Sequence, residues 1–87
     1  MPRYEVTLSP PARRELTGLP REVQRRIVDK LEALADDPRP VGVKALVNGG
    51  GRLRLRVGDY RVIYRVEDAH LVVLVITVGH RRDVYRA

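Results

Sequence analysis

Charged and apolar residues alternate strictly between Arg52 and Val57, which is typical of a half-buried β-strand. Gly58-Asp59 follows, and a second strand-like run extends from Tyr60 to Arg65. A Gly-Asp pair between two such runs predicts a two-residue hairpin, with glycine in the first, positive-φ position of a type II′ turn. The pattern therefore predicts a β-hairpin over residues 52–65.

The register of this hairpin sorts its side chains onto two faces, because cross-strand partners point to the same side of a sheet. Val57 is expected opposite Tyr60, and the face that they share packs on a core. Its other members are Leu53, Leu55, Val62 and Tyr64. The opposite face carries Arg52, Arg54, Arg56, Arg61 and Arg65 around Ile63. We call these five arginines the arginine row.

The arginine row contains two predicted like-charge pairs, Arg56 opposite Arg61 and Arg52 opposite Arg65, while Arg54 is expected opposite Ile63. Like charges directly opposite each other destabilise a sheet. A fold does not need this arrangement, so a polyanion is the natural counterpart. The alternative is a basic face that is simply solvated.

The preceding half of the chain predicts one strand and two helices. Residues 3–8 alternate and suggest a first strand, and Ser9-Pro10 is a plausible N-cap for a short helix that runs to about Thr17. Gly18 breaks this helix, and a second helix begins at Pro20. The apolar stripe of the second helix, at helical spacing, consists of Val23, Ile27, Leu31 and Leu34. The Asp-Asp-Pro-Arg-Pro segment at 36–40 ends it.

Residues 41–50 are less regular, and Val41–Val47 is either a loop or a short extended piece. Asn48–Gly51 predicts a flexible turn; a phosphate cradle is the alternative, but the strand–loop–helix context of such cradles is absent. A turn at Glu67–His70 precedes a strand over Leu71–Val78, which is apolar on both faces, as a central strand should be. Residues 81–86 are expected to form a terminal helical turn.

The element order predicts one α+β domain over residues 1–87. Its N-terminal strand leads into a helical hairpin packed on an antiparallel sheet of three to four strands, and a short C-terminal helical turn closes the chain.

Composition narrows the class of partner. The net charge is +6, and most of the excess falls after residue 40. Clustered arginines in a basic chain are the electrostatic footprint of a nucleic-acid binder. Cysteine is absent, which excludes disulfides and thiolate metal sites and suits the cytoplasm. Because His70 and His80 are the only histidines and lie ten residues apart, no metal or other cofactor is expected. Neither a signal peptide nor a membrane span is predicted.

The end of the chain gathers reactive residue types directly after the predicted central strand, in the order Val78-Gly79-His80-Arg81-Arg82-Asp83-Val84-Tyr85-Arg86. Taken singly, each has a plainer explanation in packing or solvation. Taken with the arginine row, they have the chemical types that RNA cleavage needs.

In size, element order and two motifs the sequence resembles the RelE toxins of type II toxin–antitoxin systems, in the RelE/ParE superfamily. The motifs are Arg-x-Gly-Asp-Tyr-Arg-Val-Ile-Tyr, ending at Tyr64, and Val-Gly-His-Arg-Arg-Asp-Val-Tyr, ending at Tyr85. The resemblance implies a RelE-like fold and a ribosome-dependent endoribonuclease that cuts mRNA in the ribosomal A site and so inhibits translation. Attack by the RNA's own 2′-OH would leave a 2′,3′-cyclic phosphate and a 5′-OH, without a metal ion.

The resemblance also implies roles for individual residues. Basic family residues match Arg52, Arg54, Arg61 and Arg81, and a tyrosine matches Tyr85. Arg61 would stabilise the pentacoordinate phosphorane, Arg81 would serve the leaving 5′-oxygen, and Tyr85 would stack on or orient a base. RNA binding would involve the whole arginine row and Arg82.

One departure from the family pattern concerns the general base. The best-known pattern has lysines where this chain has Arg52 and Arg54, and one of them is the presumed base. Arginine does not readily release its proton, so both arginines are better interpreted as electrostatic stabilisers. His80 is then the best candidate base, because its intrinsic pKa lies near neutrality, and Asp83 is a weaker one.

Partners and competing functions follow from the same resemblance. The expected partners are the ribosome, mRNA and a small acidic or amphipathic antitoxin. Independently, the second face of Leu71–Val78 needs a cover, which is either the C-terminal turn or another protein. The alternatives are a ParE-like inhibitor of DNA gyrase that cuts nothing, and a non-catalytic, antitoxin-bound module that binds nucleic acid.

Overall fold

Two helices pack on one face of a five-stranded sheet in the computed structural model, which describes residues 3–80. The strands are β1 (Glu5–Leu8), β2 (Lys44–Ala45), β3 (Leu53–Val57), β4 (Tyr60–Glu67) and β5 (Val72–His80). The helices are α1 (Pro10–Thr17) and α2 (Arg21–Asp36), and a 3₁₀ turn at Asp68–His70 leads into β5. The α+β class predicted from the sequence is confirmed.

The sheet is larger than expected and is mixed rather than antiparallel. Its order is β1-β5-β4-β3-β2, and β1 pairs with β5 in parallel. The extended alternative for Val41–Val47 is confirmed, since β2 pairs with β3 at the edge. Alternation within a strand does not reveal the direction of its partner. The pairing of β1 with β5 was also hard to predict, because both helices and three other strands separate the two strands in the sequence. The predicted C-terminal helical turn lies outside the described residues.

Local signals set the bounds of both helices. The Ser9 hydroxyl accepts a hydrogen bond from the Ala12 N–H at 3.1 Å and so caps α1, and Gly18 ends that helix. Ile27, Leu31 and Leu34 of α2 are buried, as the stripe predicted. No helix within residues 3–80 is long and apolar enough to cross a membrane.

The core lies between the helices and the inner face of β3, β4 and β5. Its strand residues are Val57, Val62, Tyr64, Val73, Val75 and Val78. Tyr64 has no exposed surface, and its hydroxyl donates to the Pro38 carbonyl at 2.7 Å. Burial raises the pKa of Tyr64 to about 12.

A β-bulge interrupts β5 at Ile76. Val75 lies opposite Tyr64 and Thr77 lies opposite Ile63, so Ile76 is an extra residue between two consecutive partners on β4. Helix α1 stabilises the bulge: the Ser9 hydroxyl donates to the Ile76 carbonyl at 2.9 Å, and Glu15 accepts from the Val78 N–H at 3.1 Å. β1 ends opposite Val75, so these side chains take the place of a neighbouring strand.

The turn before β5 is held by a small polar cluster. Asp68 accepts from the Tyr4 hydroxyl at 2.7 Å and forms a bidentate pair with Arg39, with a shortest distance of 2.9 Å. The hydrogen bond from Arg39 has the larger effect and the one from Tyr4 the smaller, and together they lower the pKa of Asp68 to about 2. The cluster ties the N-terminal segment and the loop after α2 to the start of β5.

Candidate functional site

The β3–β4 hairpin has the predicted register and turn. Arg56 lies opposite Arg61, Arg54 opposite Ile63 and Val57 opposite Tyr60. Gly58 has a φ of 60°, while Asp59 is not among the residues with positive φ, which agrees with a type II′ turn. The arginine row therefore lies on the face of the sheet opposite the helices. We call this the arginine face.

Two members of the row share one acceptor at the turn. Arg56 Nε and Arg61 Nη1 each lie 3.2 Å from the Gly58 carbonyl oxygen, and Arg61 also donates to the Tyr60 carbonyl at 3.1 Å. Within residues 3–80, no carboxylate lies within ion-pair distance of Arg52, Arg56 or Arg61. A carbonyl oxygen satisfies a donor but does not cancel its charge, so this end of the arginine face stays positive.

A buried apolar residue, Ile63, lies at the centre of the arginine face. Ile63 is only 5% exposed, between Arg54 on β3 and Thr77 on β5. Gly79 lies opposite Arg61 and contributes no side chain beside it.

Arg52 and Arg65 occupy the other end of the row. The ladder ends at the Leu53–Tyr64 pair, so the predicted Arg52–Arg65 pairing falls one step beyond it. Arg52 Nε donates to the Gly49 carbonyl at 2.7 Å, and Arg65 forms a 2.6 Å ion pair with Glu67. Both arginines nevertheless line one pocket, together with Ile76.

His80 is not on the arginine face. It lies opposite Tyr60 on the helix side of the sheet, with the two rings in an edge-to-face arrangement at 5.5 Å. The bulge causes this, because it shifts the inward-facing positions of β5 from odd to even residue numbers. The sequence left the parity of His80 open, and the structure separates it from Arg54 and Arg61.

The remaining predicted site residues lie outside the described part of the chain; they are Arg81, Arg82, Asp83 and Tyr85. Sequence reasoning missed Thr77, Ile76 and Gly79 as parts of the arginine face. The one signal was Thr77, the single polar residue within an otherwise apolar run. Across residues 3–80, no three His, Asp or Glu side chains come together as metal ligands would.

A groove of about 640 Å³ lies beside the hairpin, between α2 and β3. Leu55 and Val57 line it with Val41, whose side chain is fully exposed. Three cations, Arg26, Lys30 and Arg56, also line it, against one carboxylate, Asp29. We call it the hairpin groove; its mixture of apolar and basic surface suits an acidic amphipathic segment.

Sequence comparison assigns the chain to a family. The family described as the ParE toxin of the type II toxin–antitoxin system, parDE, matches residues 6–85. Toxin RelG of Mycobacterium tuberculosis is 34% identical over 84 residues, which cover 95% of this chain and 97% of RelG. The chain belongs to the RelE/ParE superfamily of type II toxins.

Solved structures of RelE/ParE toxins have the same fold. The toxin–antitoxin complex RelBE2 from Mycobacterium tuberculosis matches with a TM-score of 0.81 and 33% identity, covering 91% of this chain and 99% of that one. The archaeal RelE–RelB complex from Pyrococcus horikoshii matches with a TM-score of 0.81 and 29% identity, covering 93% and 98%. Both neighbours were solved with an antitoxin bound.

Proposed function

We propose that this RelE/ParE toxin is an endoribonuclease that cuts mRNA on the ribosome and so stops translation in the cytoplasm. The observation that carries the proposal is the arginine face, where Arg56 and Arg61 lie directly opposite each other with no carboxylate partner in the described residues. This arrangement costs stability in a free protein and is useful when a polyanion binds.

The proposed chemistry uses the substrate's own nucleophile. The 2′-oxygen of one nucleotide bonds to the adjacent phosphorus, the bond to the 5′-oxygen breaks, and the products carry a 2′,3′-cyclic phosphate and a 5′-OH. Arg61 would stabilise the charge that develops on the phosphorane, with Arg54 adding to the field. Arg52 was predicted to share this role, but it lies at the far end of the row and would contact a neighbouring phosphate instead. By resemblance, Arg81 would assist the leaving oxygen and Tyr85 would orient a base. No metal ion is needed in this scheme.

Among residues 3–80, the arginine face offers no evident general base near Arg61. Arginine keeps its proton. Two carboxylates on this face, Glu67 and Glu5, both lie at the end far from Arg61, and Glu67 is paired with Arg65. His80 lies on the other side of the sheet, so we leave it out of the proposed catalytic group. Asp83 remains a weaker candidate. Proton transfer would then depend on the RNA or the ribosome, which accounts for ribosome dependence.

Single-turnover cleavage by the purified toxin, with and without programmed ribosomes, tests this reasoning. We expect cleavage of ribosome-bound mRNA and slow or no cleavage of the same RNA alone. Rapid cleavage of RNA without ribosomes would show that the chain has a base of its own and would refute this part of the proposal.

A second candidate function is inhibition of DNA gyrase without nuclease activity. The match to the ParE toxin family over residues 6–85 is the observation that favours it. The arginine row favours the nuclease, because several positive charges on one face of the sheet can bind a phosphodiester backbone. DNA damage in cells without new mRNA ends would support gyrase inhibition instead.

We further propose that a cognate antitoxin neutralises this toxin by occupying the hairpin groove. The neighbouring RelBE2 and archaeal RelE–RelB structures are toxin–antitoxin complexes. In this chain the groove combines exposed Val41 with the basic residues Arg26 and Lys30, and Arg56 links it to the arginine row. An acidic amphipathic segment would match both features.

A further inference from the structure

A second pocket opens on the arginine face, at the end of the row farthest from the hairpin turn. Its volume is about 370 Å³, and its lining consists of Asn48, Gly49, Gly50, Arg52, Arg65 and Ile76. We call it the loop pocket, because the loop between β2 and β3 forms one wall. Small-molecule sites commonly occupy ~300–1,000 Å³, so the loop pocket is large enough for a ligand of nucleotide size.

The loop wall presents bare backbone. Gly50 lines the pocket and Gly51 follows it in the loop; they have positive φ values of 61° and 85°, and a Cβ on either would meet no atom within 4 Å. The N–H groups of Gly49 and Arg52 are used inside the loop, on the carbonyls of Leu46 and Gly49. Within residues 3–80, the N–H groups of Gly50 and Gly51 donate no hydrogen bond to the protein. Successive backbone amides of this kind can bind an anion.

The two arginines are held in place without losing their capacity to bind. Arg52 uses Nε on the Gly49 carbonyl at 2.7 Å, and Arg65 uses Nη2 on Glu67 at 2.6 Å. A guanidinium has five N–H donors, so each retains others for a phosphate. The side chain of Arg65 is 48% exposed, so an incoming anion can reach it.

Ile76 gives the loop pocket an apolar wall. As the bulged residue of β5, it joins Thr77 on the arginine face, while Val75 and Val78 stay in the core. Ser9 fixes the bulge through its bond to the Ile76 carbonyl. An apolar side chain beside guanidinium planes can hold the face of a nucleobase, with little preference for its identity.

We infer that the loop pocket binds one nucleotide of single-stranded RNA that flanks the scissile phosphate. Its phosphate would contact Arg52, Arg65 and the loop amides, and its base would lie against Ile76. Arg61 and Arg65 are four residues apart on β4, which corresponds to roughly 13 Å along the strand. The pocket thus binds a different nucleotide from the one at Arg61. This inference rests on the proposed function, which supplies the RNA strand.

The test is an NMR titration of the toxin with short oligoribonucleotides whose 2′-hydroxyls are methylated, so that no cleavage occurs. A tetranucleotide can occupy the site at Arg61 and the loop pocket at the same time, whereas a dinucleotide can occupy only one of them. We expect the tetranucleotide to shift the amide signal of Gly50, the methyl signals of Ile76 and the side-chain signals of Arg61 together. Inorganic phosphate should shift the glycine amides alone.

Three variants make the titration decisive. Arg65→Gln and Ile76→Ala should each weaken tetranucleotide binding by ~10-fold and remove the shift of the Gly50 amide, whereas dinucleotide binding should weaken less, because the dinucleotide keeps the site at Arg61. Glu67→Gln should tighten tetranucleotide binding, because it removes the ion pair between Glu67 and Arg65 and leaves the charge of Arg65 for the phosphate. An unfolded variant cannot mimic that gain.

Two results would overturn the inference: wild-type tetranucleotide binding that leaves Gly50, Gly51 and Ile76 unperturbed, or equal losses on both oligonucleotides. The cleavage assay separates this outcome from the proposed function. A toxin that cuts mRNA on ribosomes but fails the titration loses only the loop pocket. A toxin that passes the titration but cuts nothing keeps a nucleotide-binding pocket and loses both the nuclease assignment and the position of the pocket beside a scissile phosphate.

Discussion

Arg56 and Arg61 face each other across β3 and β4, and both donate to the carbonyl oxygen of Gly58 at 3.2 Å. One neutral acceptor thus holds two like charges together at the tip of a hairpin. The bonds orient both guanidinium groups before any substrate arrives. Preorganised charge of this kind is effective in stabilising a developing phosphorane.

This relationship predicts different effects for two matched variants. Arg61→Gln should lower single-turnover cleavage on ribosomes by ~10²–10³-fold, because it removes the proposed phosphorane stabiliser. Arg56→Gln should mainly weaken RNA binding, by no more than ~10-fold. Equal effects on the cleavage rate would contradict the assignment of Arg61.

The same two variants probe the repulsion itself. Each should unfold at the same temperature as wild type or slightly above it at low salt, because one of two opposed charges is gone. The difference should disappear at high salt, where screening already weakens the repulsion. Thermal unfolding at two salt concentrations measures this, and a lower melting temperature in both variants would show that the pair is stabilising.

His80 is expected to be dispensable for the chemical step. Its register opposite Tyr60 puts it on the helix side of β5, away from Arg61. We therefore predict that His80→Gln cleaves on ribosomes at close to the wild-type rate, with an unchanged pH–rate profile. A ~10²-fold loss of the cleavage rate with unchanged affinity for the ribosome would restore His80 as the general base.

The hairpin groove gives a prediction about neutralisation. Lys30→Glu and Val41→Asp should each weaken antitoxin binding by ~10-fold or more, because they oppose an acidic, apolar segment. Arg13→Glu changes the charge of an exposed residue on α1 and is the matched control. Calorimetric titration with the antitoxin measures the affinities. Equal affinities for all three variants would mean that the antitoxin binds elsewhere.

The free energy of unfolding should depend on pH through Tyr64. Tyr64→Phe leaves the Pro38 carbonyl without its donor and should reduce the free energy of unfolding by about 1 kcal/mol. The folded-state pKa of about 12 lies above the ordinary value of 10.0. Stability from this difference is complete below pH 10 and is lost as the pH rises towards 12. Urea unfolding from pH 9 to 12 should show this loss in wild type and a flatter profile in Tyr64→Phe.

The hairpin could be predicted from the sequence because its determinants are local. Strict alternation fixes which side chains share a face, and Gly58-Asp59 fixes the turn, so the opposition of Arg56 and Arg61 follows without tertiary information. The α2 stripe and the Ser9 cap were predictable for the same reason. These signals are encoded within a few residues.

The β5 bulge could not be predicted because its cause is remote. Ile76 bulges where β1 has ended, and the open backbone groups bind Ser9 and Glu15 from α1. The sequence of β5 itself does not indicate the bulge. The side of the sheet on which His80 lies, and the presence of Ile76 in the loop pocket, both depend on it.

The arginine face is proposed to serve mRNA cleavage on the ribosome, and mapping of mRNA 5′ ends in cells after toxin induction tests this claim. Wild-type toxin should create new 5′-OH ends within translated reading frames, and these should be absent from untranslated RNA. Arg61→Gln at equal expression is the control and should create few such ends. Growth arrest by wild-type toxin without new ends inside reading frames would contradict the claim.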